Sequence, residues 1–78
     1  MPFIRATLIE DALTADQKQE LISRITDVVA SFYGEHMRSN IWVVIDEIRS
    51  GQFGAGGHGF TTEEMRALIA GGEPALKS

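Results

Sequence analysis

The chain contains no cysteine, so neither disulfide bonds nor zinc thiolate sites contribute to its stability. No apolar run reaches the roughly 18 residues of a membrane span, and no basic segment leads into an apolar one at the start. Seven basic against eleven acidic residues give a net charge of −4, which argues against a nucleic-acid binder. These absences predict a cytoplasmic protein with no membrane and no nucleic-acid partner.

The length of 78 residues predicts a single domain over residues 1–78. A chain of this size buries only roughly 60 to 65% of the surface that its unfolded form exposes. Since no cross-link supplements so thin a core, we expect association with further copies to supply the missing burial.

The first half of the chain reads as a strand followed by a helix. Residues 3–9, FIRATLI, are rich in β-branched and apolar types and follow Pro2, which a strand tolerates at its start. Thr14 and Gln17 have the spacing of a capping box, and Gly34 is placed to end the helix. Between them the apolar residues follow helical spacing: Leu21, Ile22, Ile25, Val28, Val29 and Phe32.

A polar turn at 35–40 leads into a second apolar stretch at 41–48, IWVVIDEI, typical of a strand covered on both sides. A helix between two strands makes them parallel, with a right-handed crossover. Residues 50–60 are rich in glycine and predict turns or a short hairpin. A final helix is expected over 61–71, where Thr61 and Glu64 form a second capping box and Gly71 is the stop, before a frayed tail at 72–78.

These features resemble the tautomerase superfamily, most closely the short 4-oxalocrotonate tautomerase type of subunit. The resemblance covers residues 2–57, the core of the domain. Its carriers are Pro2, the segment TADQKQELI, the strand end DEIRSG and above all GQFGAGG.

The resemblance implies the fold class α/β (α+β): a β-α-β subunit with parallel strands, a short hairpin and here a C-terminal helix. Two subunits would pair into a four-stranded sheet within a hexamer. The helix over 61–71 is expected either to cover the pocket or to change the assembly to a dimer or trimer. The resemblance also implies that Pro2 is catalytic once Met1 is removed, in an apolar pocket built from neighbouring subunits, with Phe53 and Ile9 among the residues that line it.

The chemistry of an N-terminal proline leaves two roles open. A free α-amine has a pKa of about 7.7 to 8.0, which apolar surroundings lower, so a neutral Pro2 can act as a base. It would then move a proton between oxygen and carbon of an α-keto or enol acid, as a tautomerase does. A protonated Pro2 would instead be the acid of a hydratase or dehalogenase acting on an unsaturated acid.

Two arginines that grip the substrate in the best-known members of the family have no counterpart here. The first region reads EDALT, and the second position holds Trp42. Trp42 is either a core residue or a pocket wall that selects an aromatic substrate such as an arylpyruvate enol. Arg38 is either a solvated loop residue or a replacement cation. Arg5 is expected in an interchain ion pair or at the substrate.

The sequence predicts no cofactor and no metal. His36 and His58 stand in separate loops without a ligand spacing, and the glycine-rich stretch lacks the ending of a phosphate loop. Two other classes stay open beside the enzyme. In the first, the chain would be a non-catalytic subunit of a mixed oligomer whose partner supplies the arginines. In the second, it would be a small protein-binding module.

Overall fold

A computed structural model describes residues 2–71 of the chain. It contains four strands, two α-helices and one short 3-10 helix. In chain order these are β1 (Phe3–Ile9), α1 (Ala15–Tyr33), the 3-10 helix Glu35–Asn40, β2 (Trp42–Ile48), β3 (Phe53–Ala55), β4 (His58–Phe60) and α2 (Thr62–Ile69). Among the described residues, no helix combines the length and apolar composition needed to cross a bilayer.

The strands form two small sheets. Strands β1 and β2 are hydrogen-bonded neighbours and run parallel, which confirms the predicted β-α-β order. Strands β3 and β4 form an antiparallel hairpin in which Phe53 pairs with Phe60. The hairpin turns at Gly56 and Gly57, whose φ angles of 60° and 84° belong to the left-handed region that tight hairpin turns require. The short hairpin expected from the glycine-rich stretch is therefore confirmed.

Local signals set both ends of α1. The Thr14 side chain accepts from the backbone N–H of Gln17, and the Gln17 side chain accepts from the backbone N–H of Thr14, so the predicted capping box is complete. At the other end Gly34 adopts a φ of 109°, and its N–H binds the carbonyl of Ala30. A Cβ there would lie 2.7 Å from the His36 ring, so both backbone angle and space favour glycine.

Four sequence expectations need correction or lie outside the described residues. The polar turn at 35–40 is a 3-10 helix, and β2 starts one residue later than predicted, at Trp42. Helix α2 has the predicted capping box at Thr61 and Glu64 but ends at Ile69, with Ala70 as its C-cap, two residues before Gly71. The tail at 72–78 lies outside the described residues.

The described chain divides into two compact units. The first unit comprises residues 2–7 and 13–46, with α1, the 3-10 helix and most of β2. The second unit comprises residues 8–12 and 47–71, with the end of β1, the hairpin and α2. The boundaries of a single functional domain stay a prediction.

Few hydrophobic side chains are buried in the described chain: Ile9, Ala30 and Ile41. Within the single chain β2 is not covered on both sides, because two of its residues are exposed and the other five only half-buried. Cover on both sides, with a further copy on the second face, stays a prediction. Large apolar side chains lie at the surface instead, with Phe32 exposed at 84%. Such exposed apolar surface is what a chain with a thin core presents to a partner copy.

Candidate active site

Pro2, the predicted catalytic residue, precedes β1 and is half-buried. Its carbonyl oxygen accepts a hydrogen bond of 3.1 Å from the backbone N–H of Trp42. Proline costs the sheet nothing at this point, because its carbonyl still pairs and its nitrogen precedes the ladder. The backbone around Pro2 is thereby held beside the start of β2. Met1 lies outside the described residues, so its removal stays a prediction.

Trp42 is a surface residue of the first unit. Its side chain is 53% exposed, and its ring stacks on Phe3 with centroids 6.4 Å apart and an interplanar angle of 29°. The interpretation of Trp42 as a core residue is therefore wrong for this chain. Apolar neighbours along a strand do not supply a layer opposite the ring, which is what burial requires. The alternative, a pocket wall, stays a prediction.

Arg38 lies in the 3-10 helix rather than in the flexible loop that the sequence suggested. Its Nε and Nη2 each donate to a carboxylate oxygen of Glu35 at 2.8 Å. Its Nη1 donates to Asp27 at 2.8 Å. These bonds, with Glu35 contributing most, raise the pKa of Arg38, and the Arg38 hydrogen bond lowers the pKa of Glu35. Three of the five guanidinium N–H donors thus bind carboxylates of this chain.

Arg5 forms an ion pair within the chain. Its Nε lies 2.8 Å from a carboxylate oxygen of Asp46, and the two side chains are 62% and 41% exposed. The sequence left an interchain pair or a substrate contact open for Arg5, and the pair observed here is intrachain. An exposed pair of this kind contributes at most about 1 kcal/mol.

The two predicted pocket-lining residues both belong to the second unit. Ile9 ends β1 and is only 7% exposed, and its carbonyl accepts from the N–H of Ala12 at 3.3 Å. Phe53 lies in β3 and is 42% exposed. Its ring packs at a tilt on Phe60, with centroids 5.8 Å apart. Phe60, which pairs with Phe53 across the ladder, therefore covers part of the Phe53 side chain, and the rest stays exposed.

His58 lies in β4 rather than in a loop, and it pairs with Glu64 of α2. The two side chains meet at 3.2 Å, from Nε2 to Oε2, and the His58 ring stands edge-on to Phe60. The other carboxylate oxygen of Glu64 accepts from the backbone N–H of Thr61. This backbone hydrogen bond and, after it, the bond to His58 lower the pKa of Glu64.

The lowered pKa of Glu64 predicts acid-dependent stability. A carboxylate whose folded pKa lies below its unfolded pKa stabilises the fold above the unfolded pKa, and this stability is lost as pH falls through the folded pKa. Glu64→Gln keeps an oxygen for the cap, as Gln17 does in α1, but cannot be protonated. We expect the melting temperature of the wild type to fall further than that of the variant between about pH 7 and about pH 3.

The reciprocal variant Gln17→Glu is the matched control for Glu64→Gln. It places an acid-sensitive carboxylate in the capping box of α1, so its melting temperature should fall further in acid than that of the wild type. Equal acid sensitivity in all three proteins would contradict a role of Glu64 ionisation in stability.

Two of the ion pairs at the site, both formed by Arg38, were not predicted from the sequence. Glu35 and Arg38 have the i,i+3 spacing at which side chains meet on a helical turn, and this signal is readable without a structure. Asp27 and Arg38 are 11 positions apart, and no local pattern connects them. Within residues 2–71, no group of three or more histidine, cysteine or carboxylate side chains is arranged to hold a metal ion.

Comparison with known proteins gives a consistent result. A family model described as tautomerase enzyme matches residues 2–63. The probable tautomerase K2 of Dickeya dadantii is 31% identical over 67 residues, which cover 86% of this chain and 98% of that protein. A probable tautomerase of Helicobacter pylori is 36% identical over 59 residues, which cover 73% of this chain and 85% of that protein.

Solved structures with a similar fold have sequence identities to this chain close to those of the relatives above. The crystal structure of a 4-oxalocrotonate tautomerase homologue superposes with a TM-score of 0.66 at 32% identity, over 73% of this chain and 87% of that chain. The crystal structure of DmpI from Helicobacter pylori gives a TM-score of 0.65 at 33% identity, over 74% of this chain and 94% of that chain.

Proposed function

Because this chain belongs to the tautomerase family, we propose that it is a cofactor-independent keto-enol tautomerase in which Pro2 is the general base after removal of Met1. The observation that carries the proposal is the position of Pro2, which stands at the first residue of the family match and directly before β1. The hydrogen bond from Trp42 to its carbonyl supports a fixed backbone there.

The proposed step moves one proton. The neutral amine of Pro2 takes the proton of the enol hydroxyl, and the oxygen electrons form the C=O bond. The C=C electron pair then forms a C–H bond at the carbon next to the carbonyl, with the proton that the Pro2 ammonium gives up. Loss of this proton restores the neutral amine of Pro2. Matched general acid–base transfer of this kind contributes roughly 10² to 10⁴ in rate.

The charges of the first unit favour a substrate with one carboxylate rather than two. Arg5 is paired with Asp46, and Arg38 with Glu35 and Asp27. Of the five Arg38 donors, two remain beyond the three bonds described, which is sufficient for a single carboxylate contact. We propose an arylpyruvate enol as the substrate class, with Trp42, Phe53 and Ile9 among the residues that neighbouring subunits contribute to the pocket.

A homo-oligomer is part of the proposal, because the resemblance builds each pocket from neighbouring subunits. The exposed apolar residues support association: Phe3, Val28, Phe32, Tyr33, Trp42, Phe53, Leu68 and Ile69. A hexamer is the arrangement that the resemblance implies for short subunits, and a dimer or trimer is the alternative if α2 alters the assembly instead of covering the pocket.

The direct test is the ketonisation of phenylenolpyruvate by protein whose loss of Met1 has been verified by intact mass. We expect a rate above that of buffer, rising with pH as the Pro2 amine loses its proton. If the rate fell with rising pH, and the protein added water to an unsaturated acid or released halide from one, Pro2 would be a general acid instead of a general base. No activity from a stable homo-oligomer would contradict the tautomerase proposal. Activity that appears only with a second chain would favour the mixed oligomer.

A further inference from the structure

We infer that Thr62 and Arg66 of α2 are positioning residues, which hold the segments carrying Ile9 and Phe53 and so shape substrate binding. The expected effect on substrate binding rests on the proposed function. Its basis is a set of hydrogen bonds within the second unit that join α2 to the turn after β1 and to the segment before β3. We call this set the α2 clamp.

The first half of the α2 clamp fixes the turn that follows Ile9. The Thr62 hydroxyl donates to the carbonyl of Glu10 at 3.0 Å, and Arg66 Nε donates to the carbonyl of Asp11 at 2.9 Å. Asp11 has a φ of 59°, a left-handed angle that is uncommon for a residue with a side chain. A turn with such an angle persists where its surroundings stabilise it, and here two donors from α2 bind its carbonyls.

The second half of the α2 clamp fixes the segment that leads to Phe53. The backbone N–H of Thr62 donates to Oγ of Ser50 at 2.9 Å. The backbone N–H of Ser50 in turn donates to the Glu10 carboxylate at 2.8 Å. Thr62 therefore binds both segments at once, through its hydroxyl and through its backbone.

These bonds cross long stretches of sequence. Thr62 lies 52 positions from Glu10, and Arg66 lies 55 positions from Asp11. Without them, the turn after Ile9 would keep the backbone bonds from the Glu10 N–H to the Ile48 carbonyl, at 2.7 Å, and from the Ala12 N–H to the Ile9 carbonyl, at 3.3 Å. Because a residue that lines a pocket binds well only when its backbone is fixed, the α2 clamp acts on substrate affinity through Ile9 and Phe53.

The test replaces the donors of the α2 clamp one at a time. Thr62→Val removes the hydroxyl at nearly constant shape, and Arg66→Met removes the guanidinium. We expect KM to rise about five- to tenfold in each, the scale of one lost hydrogen bond, with kcat within about twofold. Amide hydrogen exchange should accelerate at residues 10–12 and, because the Glu10 carboxylate accepts from the Ser50 N–H, also at residues 50–53. Exchange in α1 should stay unchanged. Arg66→Lys, which keeps a donor, should bring KM back close to the wild-type value.

Two matched controls lie in α1. Thr26→Val removes a half-buried hydroxyl that donates to the Ile22 carbonyl at 2.8 Å within the same helix. Arg24→Met removes an exposed arginine that pairs with Glu20 at 2.7 Å. Neither residue is part of the α2 clamp, so both variants should keep the wild-type KM and the wild-type exchange at 10–12 and 50–53.

The outcomes separate the α2 clamp from the proposed function. Unchanged KM and unchanged exchange in Thr62→Val and Arg66→Met would overturn the inference, as would a fall in kcat at constant KM. A wild-type protein without tautomerase activity would overturn the proposed function, and the exchange rates of the same variants would then accept or reject the α2 clamp by themselves.

Discussion

Replacing Pro2 with alanine, in protein from which Met1 has been removed, is expected to lower the rate of phenylenolpyruvate ketonisation by at least about 100-fold. Alanine keeps an α-amine but lacks the ring that fixes the direction of the nitrogen. A catalytic base outside its reacting geometry loses most of the advantage that positioning gives. The measurement is kcat/KM for both proteins, with the mature N-terminus of each verified by intact mass.

Two comparisons make the Pro2 prediction specific. Protein that retains Met1 should be inactive, because Pro2 then carries a tertiary amide instead of a basic amine. Pro74→Ala changes the other proline of the chain, in the segment outside the described residues, and should leave the rate unchanged. If Pro2→Ala retained the wild-type rate, the base would have to be another group.

The second large effect is expected from Ile41→Ala, which should lower the free energy of unfolding by about 2 to 4 kcal/mol. Ile41 is 9% exposed and is one of the few buried hydrophobic residues of the described chain. Truncation loses transfer free energy and leaves a cavity that a thin core cannot refill. A domain of this length has a total stability of roughly 4 to 12 kcal/mol, so the loss is a large share of it. Urea unfolding followed by circular dichroism measures the change.

The same substitution at an exposed isoleucine is the control for Ile41→Ala. Ile69 in α2 is 57% exposed in the single chain, so Ile69→Ala should change the free energy of unfolding by less than about 0.5 kcal/mol at protein concentrations too low for association. All proteins are compared at one concentration, because association adds stability by mass action. If the two variants lost equal stability, burial in the single chain would not be the cause, and Ile69 would have to be buried by association.

The helices and strands follow signals that lie within a few residues of one another. The capping boxes at Thr14 and Thr61 predict where α1 and α2 begin, because each joins a side chain to the backbone three positions away. The β-branched and apolar residues of 3–9 predict β1 with its observed bounds, and paired positive-φ glycines account for the hairpin turn. The six-residue stretch 35–40 is the local failure, because its polar composition suits a turn and a 3-10 helix equally.

The candidate site is predictable only in part. Pro2 and Phe53 are recognisable from their places in a family pattern. The exposure of Trp42 is not, because its apolar neighbours indicate burial whatever lies opposite the strand. Of the two partners of Arg38, only Glu35 is predictable from the sequence, because it is a helical neighbour and Asp27 is not.

By itself the sequence determined the order of the elements, the capping of both helices and the chemistry that an N-terminal proline offers, since all of these depend on residue type and short spacing. Only the tertiary structure decided which guanidinium groups are engaged by carboxylates, that Trp42 stacks on Phe3 at the surface, and that Thr62 and Arg66 bind the turn after β1. The physical reason is range. Hydrogen bonds and ring contacts form between groups a few ångströms apart in space, and residues up to 55 positions apart in the chain meet only when it folds.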